Sequence, residues 1–203
     1  ISFAEELGYR IKHLGIARKT VRGVEMRVHP TLVSNTRLLA NVNGVGNAVM
    51  VQGNFVGSTL YSGPGAGAEA TASAMVADLI DLARDRLAGV KAPVRPALGS
   101  TQTGSSLEVL PIEQIEVGYY LKIPVLDKLG VMAKLSAVLQ QRGISIEAII
   151  QKESENSETV PVVILTQVVR ERELNAALDA LAELDEVTGP VTRIRIEPFD
   201  GEA

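Results

Sequence analysis

The alternation of apolar and polar positions is most regular in the last third of the chain. Residues 119–125 and 144–151 read as strands, and residues 160–166 as a third strand that is almost wholly apolar. Residues 131–141 carry a helical repeat stopped by Gly143, and residues 171–184 a second, rich in Ala and Leu. A closing strand runs over 187–196. Period-two runs mark strands and the 3.6-residue repeat marks helices. The order strand, helix, strand, strand, helix, strand predicts an antiparallel four-stranded sheet with both helices on one face.

The first third reads differently. Residues 3–7 have helical spacing, and residues 10–17 and 24–29 alternate as strands around a turn at Arg22-Gly23. Pro30 suits a strand edge or end. A polar connection at 34–40 leads to two further strands, 47–52 and 57–61, through a tight turn at Gly53-Asn54. Together these strands predict a largely antiparallel sheet. Gly63-Pro64-Gly65-Ala66-Gly67 ends it, and a helix follows over 71–87, with Met75, Leu79, Leu82 and Leu87 on its apolar face. Thr71 serves as N-cap and Gly89 as stop. Residues 91–116, rich in Pro, Gly, Ser and Thr, form a linker. The expected domains are therefore 1–90 and 117–198, an α+β chain in which helices accompany a mostly antiparallel sheet and a ferredoxin-like βαββαβ module follows.

Composition narrows the chemistry. With aromatics at 3% against 46% hydrophobic residues, both cores must be aliphatic. A net charge of −4 gives no basic face for nucleic acid. No apolar run is long enough for a bilayer. The absence of cysteine excludes disulfides and thiolate metal sites, and fits a reducing, cytoplasmic setting. The first residue is Ile in a segment that reads as the middle of a helix, so the native protein is expected to begin upstream.

The candidate chemistry lies in two turns. The glycine run at 63–67 precedes a helix, where close backbone approach and helix-end N–H groups favour a phosphate. It is neither a P-loop nor spaced as the dinucleotide fingerprint. Its plainer reading is a turn that packs strand against helix. The second turn, Leu126-Asp127-Lys128-Leu129-Gly130, opens the helix at Val131. Its N–H groups face where a carboxylate would sit, and Asp127 can accept from an amino group. His29 beside Pro30 is read chiefly as a strand-end histidine bonded to backbone, and His13 as facing solvent. Asp78, Asp81 and Asp85 are read as a solvated helix face, so no metal site is expected.

Taken in order, several segments resemble a known family. Glu6-Leu7-Gly8-Tyr9-Arg10-Ile11-Lys12, Val28-His29-Pro30-Thr31-Leu32, Asn41-Val42-Asn43-Gly44-Val45 and Gly63-Pro64-Gly65-Ala66-Gly67 with Thr71-Ala72-Ser73-Ala74 are similar to the C-terminal part of the homoserine dehydrogenase substrate domain. Residues 119–197 resemble the ACT domain that many bacterial members append. The resemblance implies a parent enzyme that interconverts L-aspartate 4-semialdehyde and L-homoserine with NAD(P), on the route to threonine, methionine and isoleucine. It implies a homodimer or higher homo-oligomer, with the glycine matching Gly67, and with it Gly65, against the cofactor.

The resemblance also implies an amino-acid effector, most naturally L-threonine, bound between two ACT modules at Asp127, Gly130, Val131 and Ser145. Leu129 stands where proline is common, and Ser145 where asparagine is frequent. The family's Gly-x-Asp-x-x-x-Lys segment, whose lysine donates the catalytic proton, does not occur in this sequence, so no catalytic residue is named and the chain alone is expected to be inactive. The competing readings are a stand-alone, non-enzymatic amino-acid-binding regulator and a module that only dimerises.

Overall fold

The computed structural model describes residues 1–90, 107–151 and 158–199. A short helix α1 (Ser2–Glu6) leads into the hairpin β1 (Tyr9–Lys19) and β2 (Val24–Ser34). A second hairpin, β3 (Gly46–Gly53) and β4 (Gly57–Pro64), precedes the long helix α2 (Ala68–Leu87). The remainder is β5 (Glu116–Leu126), α3 (Val131–Gln141), β6 (Ile146–Gln151), β7 (Thr159–Thr166), β8 (Val169–Arg170), α4 (Glu171–Ala182) and β9 (Thr192–Ile196). The chain divides into two compact units. One joins residues 1–40 to 107–199, and the other is residues 41–90.

In the first unit the strands run in the order β1-β2-β9-β5-β7-β6, with β8 against β5. The inner four, β9-β5-β7-β6, are antiparallel, as the βαββαβ pattern requires. One face is packed by α3 and α4. Leu135, Leu139, Leu174 and Leu181 are fully buried against Tyr119, Leu121, Ile123, Val162 and Ile164. Each such side chain contributes about 1.5–3 kcal/mol of burial. The opposite face is covered from the start of the chain: Ala4 and Leu32 are buried against Tyr120, Val163 and Leu165, with Phe3, Leu7 and Tyr9 packed around them.

The early strands do not build one sheet. β1 and β2 pair over their whole length, from Tyr9↔Ser34 to Lys19↔Val24. They then join the later sheet through a parallel contact with β9, at Thr31↔Arg195 and Leu32↔Ile196. β3 and β4 form a separate two-stranded sheet. Local patterning marks strands but carries no information on which distant edge a strand will meet. Pro30 lies inside β2, and the β9 pairing begins one residue later. Its missing N–H is tolerated because the strand is paired on one side only at that point.

Two turns also differ in detail. The β3–β4 loop is Asn54-Phe55-Val56 between the paired Gly53 and Gly57, and the positive φ, 74°, falls on Gly57. Helix α2 starts three residues before Thr71, with Gly67 at the N-cap (φ 123°), and the Thr71 N–H donates to the Gly67 carbonyl within the first turn.

The β1–β2 turn has the strictest local requirement. Gly23 sits at φ 151°, and a Cβ there would lie 2.5 Å from the Glu108 carbonyl oxygen. That close approach lets Val24 exchange backbone hydrogen bonds with Glu108 and Leu110 at 2.8 and 2.9 Å. Gly23→Ala is expected to destabilise the chain by about 2 kcal/mol or more, read from urea unfolding. Gly63→Ala, which adds a methyl into open space, should shift the midpoint far less. Equal effects at the two sites would refute the close-approach argument.

Candidate functional site

The turn after β5 is built by the strand ends on either side. The Leu126 N–H donates to the Glu186 carbonyl (2.8 Å) and the Asp127 N–H to the Glu158 carbonyl (3.0 Å), which pins the chain as it leaves the sheet. Gly130 then takes φ 86°, a left-handed conformation that suits glycine, and becomes the N-cap of α3. A cavity of about 390 Å³ lies against this turn, lined by residues 125–132 with Gln151 and Val162. The walls Val125, Leu126, Leu129, Val131, Met132 and Val162 are apolar. The polar groups are Asp127, Lys128, Gln151 and the backbone at the start of α3. An amino group and a carboxylate thus have complementary partners within one small space.

Asp127, Gly130 and Val131, singled out in the sequence, all line this cavity. Ser145 does not; it lies exposed just before β6, and its carbonyl accepts from the Gln167 N–H at 2.9 Å. Gln151 is the lining residue that sequence reading missed. It stands at the far end of β6, and only the β6–β7 pairing Gln151↔Val162 brings it to the turn. Leu129 is fully exposed at the tip. On the α3 side, Lys134 pairs with Glu186, and that hydrogen bond holds the Glu186 carboxyl below the usual carboxylate range.

In the second unit, the glycine run leaves β4 and enters α2. The Gly65 N–H donates to the Val45 carbonyl (2.8 Å), and the Asn47 side chain fills the space a Cβ on Gly65 would take. A side chain at Gly65 would have to displace the Asn47 side chain, which is exposed. Around Gly67 a Cβ would meet nothing within 4 Å, so the backbone at the mouth of α2 is open to approach. Asp78 and Asp81 are exposed, Asp85 is half-buried, and Asp81 pairs with Arg84 at 3.5 Å.

A second polar cluster was not legible in the sequence. Arg27, its side chain wholly buried, bridges Glu25 and Glu197 at 2.5 Å each. Arg18 reaches Glu197 at 2.6 Å and the Pro198 carbonyl at 2.9 Å. One strand further in, Arg195 holds Glu171 (Nε to Oε2, 2.8 Å), and the Tyr119 hydroxyl donates to the same carboxylate at 3.2 Å. Burial and the Glu171 carboxylate push the Tyr119 hydroxyl well above the ordinary tyrosine range.

His29 belongs to this cluster. Its Nδ1 lies 3.0 Å from Thr31 Oγ1 and 3.2 Å from the Pro30 carbonyl. Its Nε2 is buried with no partner among the described residues. Burial lowers its pKa, and the neighbouring Arg195 and Arg27 lower it further, against the opposing pull of Glu171. His13 is exposed on the other face, opposite Pro30.

Comparison with known proteins places these features. Residues 1–80 match the homoserine dehydrogenase family and residues 119–186 the ACT domain family. The chain is 50% identical over 201 residues to a homoserine dehydrogenase of Pseudomonas aeruginosa, covering 98% of this chain and 46% of that protein. It is 48% identical to one of Neisseria gonorrhoeae, covering 97% and 45%. Among solved structures, a homoserine dehydrogenase from Thiobacillus denitrificans superposes with a TM-score of 0.85 at 46% identity, over 97% of this chain and 44% of that one. The chain therefore spans a little under half the length of these relatives. Among the described residues, no helix is long and apolar enough to cross a membrane.

The buried histidine gives a testable pH dependence. Its folded pKa lies below the unfolded value, so the unfolded chain takes up a proton that the native state refuses. Stability should fall as pH drops through about 6.5 and recover as pH rises toward 7. His29→Gln should flatten this part of the profile in urea unfolding at constant ionic strength. An unchanged slope would assign the effect to other groups.

Proposed function

We propose that this chain, which corresponds to the C-terminal part of homoserine dehydrogenases, is the regulatory portion of an enzyme that interconverts L-aspartate 4-semialdehyde and L-homoserine with NAD(P). In this reading the ACT module receives an amino-acid effector at the turn 127–130. L-Threonine, a product of the route that begins with homoserine, is the natural choice. The observation that carries the reading is the cavity itself, with one carboxylate, an open helix N-terminus and apolar walls converging at the turn. Asp127 would accept from the ligand ammonium, the Gly130 N–H would meet its carboxylate beside Val131, whose own N–H donates to the Lys128 carbonyl at 3.4 Å, and Gln151 would stand within reach of a side-chain hydroxyl.

The same reading gives the nicotinamide cofactor a place at the open mouth of α2. Gly67 would let the dinucleotide approach the backbone, while Gly65 shapes the loop around Asn47. Hydride transfer needs an oriented carbonyl beside the nicotinamide. This chain supplies at most one wall of that arrangement and no proton donor for it. By itself it is expected to show no homoserine-dependent nicotinamide reduction, and an ordinary rate from the purified chain would refute that. In this reading the working form is a homodimer or higher homo-oligomer.

Calorimetric titration tests the effector site. L-Threonine should bind the purified chain, and Asp127→Ala should weaken binding about 10- to 100-fold, the value of one charge-assisted hydrogen bond. Equal binding by the variant would remove Asp127 from the site. No heat with threonine, methionine or isoleucine would end the effector reading.

A further inference from the structure

The β1–β2 hairpin is turned inside out in polarity. Glu25, Arg27, His29 and Thr31 are its buried residues over this stretch, while Met26, Val28 and Pro30 are exposed. The charges therefore face the ACT module, where they meet the end of β9. The contact is short: two registered pairs between β2 and β9, and one further hydrogen bond from the Glu197 N–H to the Leu32 carbonyl at 3.1 Å. Around it, Arg27 and Arg18 both grip Glu197, and Arg27 also holds Glu25. Two arginines and two carboxylates balance in charge.

The other end of the same segment touches the cavity. The Glu186 carbonyl accepts the Leu126 N–H, the Glu186 side chain pairs with Lys134 of α3, and the Thr188 N–H donates to the Pro124 carbonyl at 2.9 Å. Leu126 is part of the cavity wall. Residues 186–197 thus run from the wall, along β5 as β9, to Glu197. One stretch of backbone is fastened to the cavity at its start and to the hairpin at its end.

We infer that residues 186–197 are the transmission element of this fold, and that the Arg27–Glu197 clamp is the coupling point through which occupancy of the turn cavity is felt by the β1–β2 hairpin. The inference rests on the effector reading of the cavity. A ligand that draws Leu126 and α3 together also draws on Glu186, and the strain passes through Thr188, bonded to the Pro124 carbonyl, and the short connection 189–191 into β9, paired with β5 from Thr192 onward. At its end lies a junction of only two rungs, where the hairpin can part from β9 without unzipping a long ladder. A buried ion cluster suits such a junction because it holds one register or none, whereas apolar side chains accept many. Arg27 is a positioning residue here; it touches no ligand.

Hydrogen exchange on the whole chain, with and without saturating L-threonine, tests the inference. Exchange of the β2 amides around Thr31 and Leu32 should slow about fivefold or more on binding. Arg27→Met alone strands the buried Glu25 carboxylate, leaves Glu197 with Arg18 only, and risks unfolding. The triple variant Glu25→Gln, Arg27→Met, Glu197→Gln removes the three buried charges, nearly keeps the volume, and leaves Arg18, which is partly exposed to solvent. It should bind L-threonine with unchanged affinity, yet leave β2 exchange insensitive to it.

Equal slowing in the triple variant would overturn the clamp as coupling point. Binding by the unsubstituted chain without any change in β2 would overturn the transmission element, with the effector reading intact. No binding of L-threonine at all would overturn both, and calorimetry separates that result from the others.

Discussion

Leu32 and Ala4 lie against Tyr120, Val163 and Leu165 on the face of the ACT sheet that α3 and α4 leave uncovered. That contact governs the architecture of the first unit. A βαββαβ module hides one sheet face beneath its own helices and leaves the other apolar and bare. Here β5 and β7 are buried on both sides, which is why residues 160–166 read as a continuous apolar run and not as an alternation. The cover comes from residues more than eighty positions earlier. Residues 1–40, part of the stretch that matches the homoserine dehydrogenase family, therefore share a core with the stretch that matches the ACT domain family, and the family boundaries and the compact units are different partitions of the same chain.

Once Leu32 is placed on that face, the polarity of the hairpin follows. β2 must reach the edge of β9 with its Glu25, Arg27, His29 and Thr31 turned inward. Such side chains can be buried only if they satisfy one another. Glu25 and Arg27 do so as a charge-balanced set with Arg18 and Glu197, Thr31 bonds His29, and His29 Nε2 is left without a partner among the described residues. Removing Arg27 would cost about 3–5 kcal/mol, because Glu25 would stay buried without its partner. The stability of the junction is thus all-or-none. The few exchanged hydrogen bonds between β2 and β9 would not hold a hairpin of 26 residues by themselves; the ion cluster and the apolar contact at Leu32 do.

The sequence revealed the parts whose physics is local. The bounds of α3 were read without error from Val131 and Gly143, since a helical repeat and a left-handed stop are both written in consecutive residues. Asp127, Gly130 and Val131 were found because a turn at a helix start is contiguous. What escaped depended on distance along the chain. Gln151 reaches the cavity only through its pairing with Val162. The alternation of β2 was visible, yet the usual rule assigns the apolar side to the interior, and here it is the charged side. Glu197 carries no local mark of its role. The β3–β4 turn failed for a smaller reason: both Gly53 and Gly57 tolerate positive φ, and loop closure chose the second.

Helix α2 poses the reverse problem. Its apolar face was legible, but Met75, Leu79 and Leu82 are 62%, 64% and 48% exposed, and none of its residues is buried. A 20-residue helix gains little from its backbone alone, and most helical stability comes from packing of the apolar face. The hairpin beside it in sequence is two-stranded, a form that is marginal in water without a third element. Residues 41–90 therefore have the pattern of a folded unit without the burial that would hold one. The backbone left open at Gly67 begins a helix whose apolar face is exposed along its length.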